Sequence, residues 1–174
     1  GTGGGGTSFP LPPYGGPPAS TTTIHELALG ADGNVWYLRR GTTIGRVEPN
    51  GTITGFVQPD DGLSEIAAAS GAAVWVADRN AHTLLRVTTA GAVTSTASPV
   101  SVPQALATGA DGTLWVGGAG VGKLPPGGAG EVVTTEADVS HLAIAPDGGV
   151  WVADSFGISE VLDDGSLATR VVTG

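Results

Sequence analysis

His25-Glu26, Ser64-Glu65, Gln104-Ala105 and Ser140-His141 occupy one recurring place in this chain and carry most of its candidate chemistry. Imidazole and carboxylate groups are ordinary ligands of a divalent cation. His25, Glu26, Glu65 and His141 would therefore form a binding set if the fold gathers them at one point. Such a set needs fixed geometry and partners that orient each ligand; the alternative is a row of solvated strand ends. Asp78 and Asp154 align at a second recurring place, where they would line the same mouth or cap turns with their own side chains. Arg46, Arg86, Lys123 and Glu160 share a third place, where an ion pair between repeats involving Glu160 is expected. His82 falls in a polar loop and is expected in solvent. There is no cysteine, which removes thiolate catalysis and thiolate metal sites. The glycine-rich stretch Gly117–Lys123 lacks the spacing and following helix of a phosphate loop.

The elements that must position these residues come from a repeat. Trp36, Trp75, Trp115 and Trp151 are spaced by 39, 40 and 36 residues, and each lies nine residues after an aliphatic residue: Leu27, Ile66, Leu106 or Leu142. A period of this size signals a repeat architecture. Each unit opens with a small, aliphatic run containing Ala28, Ala67, Ala107 or Ala143. A turn follows, reading Ala31-Asp32-Gly33, Ser70-Gly71-Ala72, Ala110-Asp111-Gly112 or Pro146-Asp147-Gly148. Asp-Gly suits a tight hairpin, because Gly accepts positive φ and Asp bonds the local backbone. The Trp run, a third run starting at Ile44, Leu84, Val121 or Ile158, a second glycine turn and a fourth run complete the unit.

Four short strands in about 38 residues make one propeller blade. The expected fold is therefore all-β, a propeller with four blades of four antiparallel strands. The units span about residues 24–62, 63–102, 103–138 and 139–174. The tryptophans are expected to fill the gaps between blades; a Trp-lined sugar surface is the alternative. Four units are expected to close as one small ring; the alternatives are two chains joining into eight blades, or a ring whose remaining blades lie outside this sequence.

Residues 1–23 differ in kind. Gly1–Ser8 has the composition of a flexible linker, and Phe9–Pro18 holds five of the twelve prolines. This Gly/Pro-rich segment is expected to be a linker or an extended docking arm, with Phe9, Leu11 and Tyr14 as anchors for a protein partner or larger assembly. The net charge is −9, with seven Lys+Arg against sixteen Asp+Glu and no basic stripe, so nucleic acid is not an expected partner. No apolar run reaches the roughly 18 residues that a membrane helix needs, so no membrane insertion is expected. The absence of methionine suggests a processed chain or a piece of a longer protein.

The stretch Ala145-Pro-Asp-Gly-Gly-Val-Trp-Val-Ala-Asp154 and the element Ile44-Gly-Arg-Val-Glu-Pro-Asn-Gly51 resemble the blades of the streptogramin B lyase family and the related NHL and SMP-30-like propellers. The resemblance covers all four units. It implies a propeller, usually of seven blades in the lyases, with magnesium held by His and Glu near the centre. The family's Trp-Phe-Thr-Glu is replaced by Trp36-Tyr37-Leu38-Arg39, Trp75-Val76-Ala77-Asp78, Trp115-Val116-Gly117-Gly118 and Trp151-Val152-Ala153-Asp154. None of His25, His82 and His141 matches the catalytic pattern.

The chain is accordingly expected to be a non-enzymatic binding or structural module with no resident cofactor. It would sit on an extracellular or virion surface, such as a cell-surface complex or phage tail, attached by its arm, with oligomers as an option. Two alternatives stand beside this. One is a metal-dependent lyase or hydrolase using His25, Glu26, Glu65 and His141 with a divalent cation. The other is a propeller that binds a glycan or surface receptor through loop aromatics such as Tyr37 and Phe156.

Overall fold

The computed structural model describes residues 23–39, 43–57 and 62–172. The first sheet is β1 (Ile24–Leu29), β2 (Val35–Arg39), β3 (Thr43–Val47) and β4 (Ile53–Val57). The second is β5 (Leu63–Ala69), β6 (Ala73–Asp78), β7 (Thr83–Thr88) and β8 (Val93–Ala97). The third is β9 (Ser101–Thr108), β10 (Leu114–Leu124) and β11 (Glu131–Asp138). The fourth is β12 (His141–Ile144), β13 (Val150–Asp154), β14 (Gly157–Val161) and β15 (Leu167–Val172). All pairings are antiparallel, neighbours follow sequence order, and no helix occurs among the described residues. This is a four-bladed propeller arrangement, one sheet per repeat. The arm anchors Phe9, Leu11 and Tyr14 lie outside the described residues.

The turns form for the reasons their sequences give. In the first blade Asp32 accepts hydrogen bonds from the Asn34 backbone N–H at 3.1 Å and the Asn34 side-chain amide at 2.8 Å. Gly33 follows at φ 76°, a conformation that costs a residue without Cβ little. Asp111 repeats the device in the third blade, accepting from the Thr113 N–H at 3.0 Å. These bonds, from the backbone N–H first and then the Thr113 hydroxyl, hold its carboxyl below the usual range. Asp32 also receives the Trp36 indole N–H at 3.3 Å, so the turn fixes the ring that fills the core. Asp32→Ala is expected to lower stability by about 1 kcal/mol, the usual worth of such a bond; urea denaturation measures it.

The third sheet departs from the expected four strands. β10 runs through 11 residues. Leu114–Ala119 pair with β9, and Ala119–Lys123 pair with β11. Its two ends, Leu114 and Leu124, lie in the same apolar cluster. Drawn straight, ten residue steps would hold them about 33 Å apart. The stretch therefore doubles back, with glycines 117, 118, 120 and 122 around the bend. A Cβ on Gly118 would meet the Ser101 and Val102 carbonyl oxygens at 2.6 Å. The close crossing excludes a side chain there.

The core is three slabs between consecutive sheets. Trp36, Leu38 and Ile44 of the first sheet meet Ile66, Val74 and Val76 of the second. Ala67 and Leu84 meet Leu106, Leu114 and Val116, with Trp75 against them. Ala105 and Val121 meet Val152, with Trp115 and Leu142 against them. Trp36, Trp75 and Trp115 thus pack between blades.

Inner strands touch in the order β1 to β5 to β9 to β12, and no comparable contact returns from β12 to β1 among the described residues. Leu27 faces the direction in which Ile66 and Leu106 find a preceding blade. It is 62% exposed, against 4% and 8% for those two. The four blades thus form an open arc, and the expected closure into a four-bladed ring is not made.

Candidate functional site

The antiparallel pairing of each first strand with the Trp strand puts the start of one and the finish of the other at the same end of the blade. Leu63 is thus opposite Asp78, and His141 opposite Ala153. Contacts between inner strands then bring neighbouring strand starts together around the axis. The Ser64 hydroxyl donates to the Pro103 carbonyl at 3.0 Å, tying the second blade to the third at this end. The Gln104 amide donates to the Val139 carbonyl at 3.0 Å, tying the third to the fourth.

Glu65 is the one acidic side chain here whose proton affinity rises sharply. Burial pushes its carboxyl from an ordinary 4.5 up to about 7. The Glu26 carboxylate of the adjacent blade adds repulsion, and a hydrogen bond from the Ile66 N–H at 3.1 Å opposes the rise. Two carboxylates from adjacent strand starts therefore share one small region, and near neutrality one of them keeps its proton.

The expected four-residue set is only partly assembled. Glu26 and Glu65 interact. His25 and His141 are exposed, on first and last blades whose inner strands make no comparable contact. His141 Nδ1 lies 3.1 Å from the Ser140 hydroxyl. Among the described residues, no three His, Asp or Glu side chains converge as a metal-binding group. The reason is again the arc, since the histidines would meet only if its ends did.

Asp78 and Asp154 each accept two backbone hydrogen bonds. Asp78 accepts from the Asn80 and Ala81 N–H groups at 3.1 and 2.9 Å, and Asp154 from those of Phe156 and Gly157 at 2.7 and 3.0 Å. Each caps the loop after its Trp strand. Of the two loop aromatics, Phe156 is exposed, whereas Tyr37 is buried with its ring over Gly45, so Tyr37 offers no sugar-stacking face.

His82 is more engaged than its loop suggests. Its Nδ1 accepts the Val102 N–H at 2.9 Å, which places the ring proton of the neutral imidazole on Nε2. Both residues have positive φ, 55° and 52°. For a β-branched residue such as Val102 this is a strained backbone. The only local signal was the following Pro103, which narrows the choices open to Val102.

An open groove of about 800 Å³ lies between the third and fourth blades, lined by Trp115, Lys123, Asp147, Glu160 and Asp163 among others. The observed ion pair near it, Lys123 to Glu131 at 3.4 Å, stays within the third blade.

The sequence matches no family model and no curated protein. Solved structures do match. A streptogramin B lyase superposes with a TM-score of 0.77 at 21% identity, over 97% of this chain and 59% of that one. Virginiamycin B lyase from Staphylococcus aureus gives 0.74 at 21% identity, over 87% of this chain and 56% of that one. The chain has the fold of the streptogramin lyase propellers. A proposed gluconolactonase matches at 0.69 and 17% identity, over 87% of this chain and 64% of that one. The chain spans less than three-fifths of the length of either lyase. These comparisons overturn the expectation that the module stands outside enzyme chemistry, because the propellers it resembles include lyases.

Proposed function

We propose that the strand starts of the first two blades form a binding site for a small cationic group, with Glu26 and Glu65 as its acidic pair. The observation that carries this is the half-buried Glu65 carboxyl, holding its proton to about pH 7 beside Glu26. A cation placed between them would relieve both the burial and the repulsion. Magnesium commonly takes one or two carboxylates and fills its remaining positions with water or substrate oxygens, so two acidic groups are a sufficient protein share. Titration of the chain with magnesium or calcium chloride in a calorimeter tests this. Binding at millimolar affinity or better is expected, strengthening as pH rises through about 7 because Glu65 must release its proton. It should be lost in Glu26→Gln and Glu65→Gln, and an unaltered chain that binds neither ion would rule the site out.

Glu65 also favours a second reading, acid–base chemistry of the lyase or hydrolase type. A carboxyl that titrates near neutrality is suited to give and take protons there. The wider setting we propose is an exterior surface, cellular or viral, with residues 1–23 as the attachment. The linker-like and proline-rich composition of that segment supports it.

A further inference from the structure

The two ends of the arc expose positions whose counterparts between blades are more covered. On the last blade Ile158 is 42% exposed, while its counterparts Ile44, Leu84 and Val121 are fully buried against a following blade. Trp151 lies outside all three slabs, where Trp36, Trp75 and Trp115 each join one. On the first blade, Leu27 and Leu29 are exposed, and Val35 is 41% exposed against 0% for Val74 and Leu114. Only at Tyr37 is that face closed. One end therefore carries the Trp side of a blade interface and the other carries the aliphatic side. They are the two halves of a contact the chain already makes three times within itself.

We propose that a second copy of this chain joins them. The fourth blade of each copy packs on the first blade of the other, closing eight blades about a two-fold axis. Two identical contacts then form at once, Trp151 and Ile158 on Leu27 and Val35, as Trp36 and Ile44 pack on Ile66 and Val74 within one chain. A second copy presents both halves in the correct order, which no ligand for a single face does. Eight blades lie within the usual range, and cyclic closure covers both apolar end faces.

The test is the solution mass of the full chain at high micromolar concentration, by light scattering or sedimentation. The expected value is twice the 17.1 kDa of one chain. Leu27→Arg and Ile158→Arg should each return it to 17.1 kDa. Both side chains are exposed in the single arc, so each variant should keep its tryptophan spectrum and melting profile at low concentration. A 17.1 kDa mass for the unaltered chain overturns the proposal and assigns the end faces to residues 1–22 or to blades elsewhere in a longer polypeptide. A doubled mass that survives both substitutions also overturns it, since the copies would then meet elsewhere.

Discussion

Trp36→Ala is expected to lower the stability of the folded chain by about 3–5 kcal/mol, the usual range for emptying a large aromatic site in a core. Trp36 is fully buried in the first slab among Leu38, Ile44 and Ile66. Its ring stacks on Phe56 with centroids 5.8 Å apart and planes 20° apart, and the Arg46 guanidinium lies 5.8 Å from the ring centre. Arg46 in turn donates to the Thr89 carbonyl of the second blade at 2.8 Å, so the cavity would also loosen a polar link across the interface. The matched control is Trp151→Ala. That ring has the same place in its repeat but belongs to no slab, and its loss in the single chain should cost about 1 kcal/mol or less. Denaturant midpoints at low protein concentration measure both. Equal losses would mean that the fourth blade is covered as completely as the first, which contradicts the open arc.

Glu65→Gln is expected to stabilise the protein at alkaline pH by roughly 1–2 kcal/mol and to leave it unchanged near pH 4. The folded-state value of about 7 lies above the ordinary 4.5. Below about pH 4 the carboxyl is protonated in both folded and unfolded chains and contributes no difference. Between 4.5 and 7 the unfolded chain releases the proton while the folded chain retains it, so stability falls as pH rises. Above 7 the penalty is constant. A shift of that size corresponds to at most about 3 kcal/mol, and contact with water screens it to the smaller figure. Glutamine mimics the protonated acid at every pH and abolishes the slope. Urea denaturation at pH 4 and pH 8 in chelator-treated buffer checks it; a variant less stable than the parent at pH 8 would remove the buried-acid account.

The parts of this structure that were legible in the sequence are those encoded within a few residues. Asp-Gly specifies its hairpin through its own side chain and one permissive φ, and Trp beside small alanines specifies the packing between blades. The aligned strand starts placed Glu26 and Glu65 together, because register follows from the repeat. Other features depend on neighbours that no single repeat contains. Whether Leu27 is buried depends on what precedes the first blade, so closure of the ring could not be read from it. The elevated proton affinity of Glu65 comes from burial, which spacing does not report. That Asp78 and Asp154 cap loops shows only in the hydrogen bonds from Ala81 and Phe156, which spacing does not report. In the third blade the Trp run and the run starting at Val121 join in one glycine-rich stretch, β10, whose two halves pair with β9 and β11.

The slab order also sets a timetable for synthesis. Each sheet is contiguous in sequence, and each slab joins only consecutive sheets. Blade one can therefore pair its strands as soon as it leaves the ribosome, but Trp36 has no partner for its outer face until Ile66 and Val76 emerge. At ordinary translation speeds of about 5–20 residues per second, those forty residues take roughly 2–8 s. During that interval a finished sheet waits with its apolar side uncovered, and the same exposure passes from blade to blade down the chain. Chaperone demand on a nascent chain of this design should thus come in regular pulses at the blade period, a rhythm dictated by the spacing of its tryptophans.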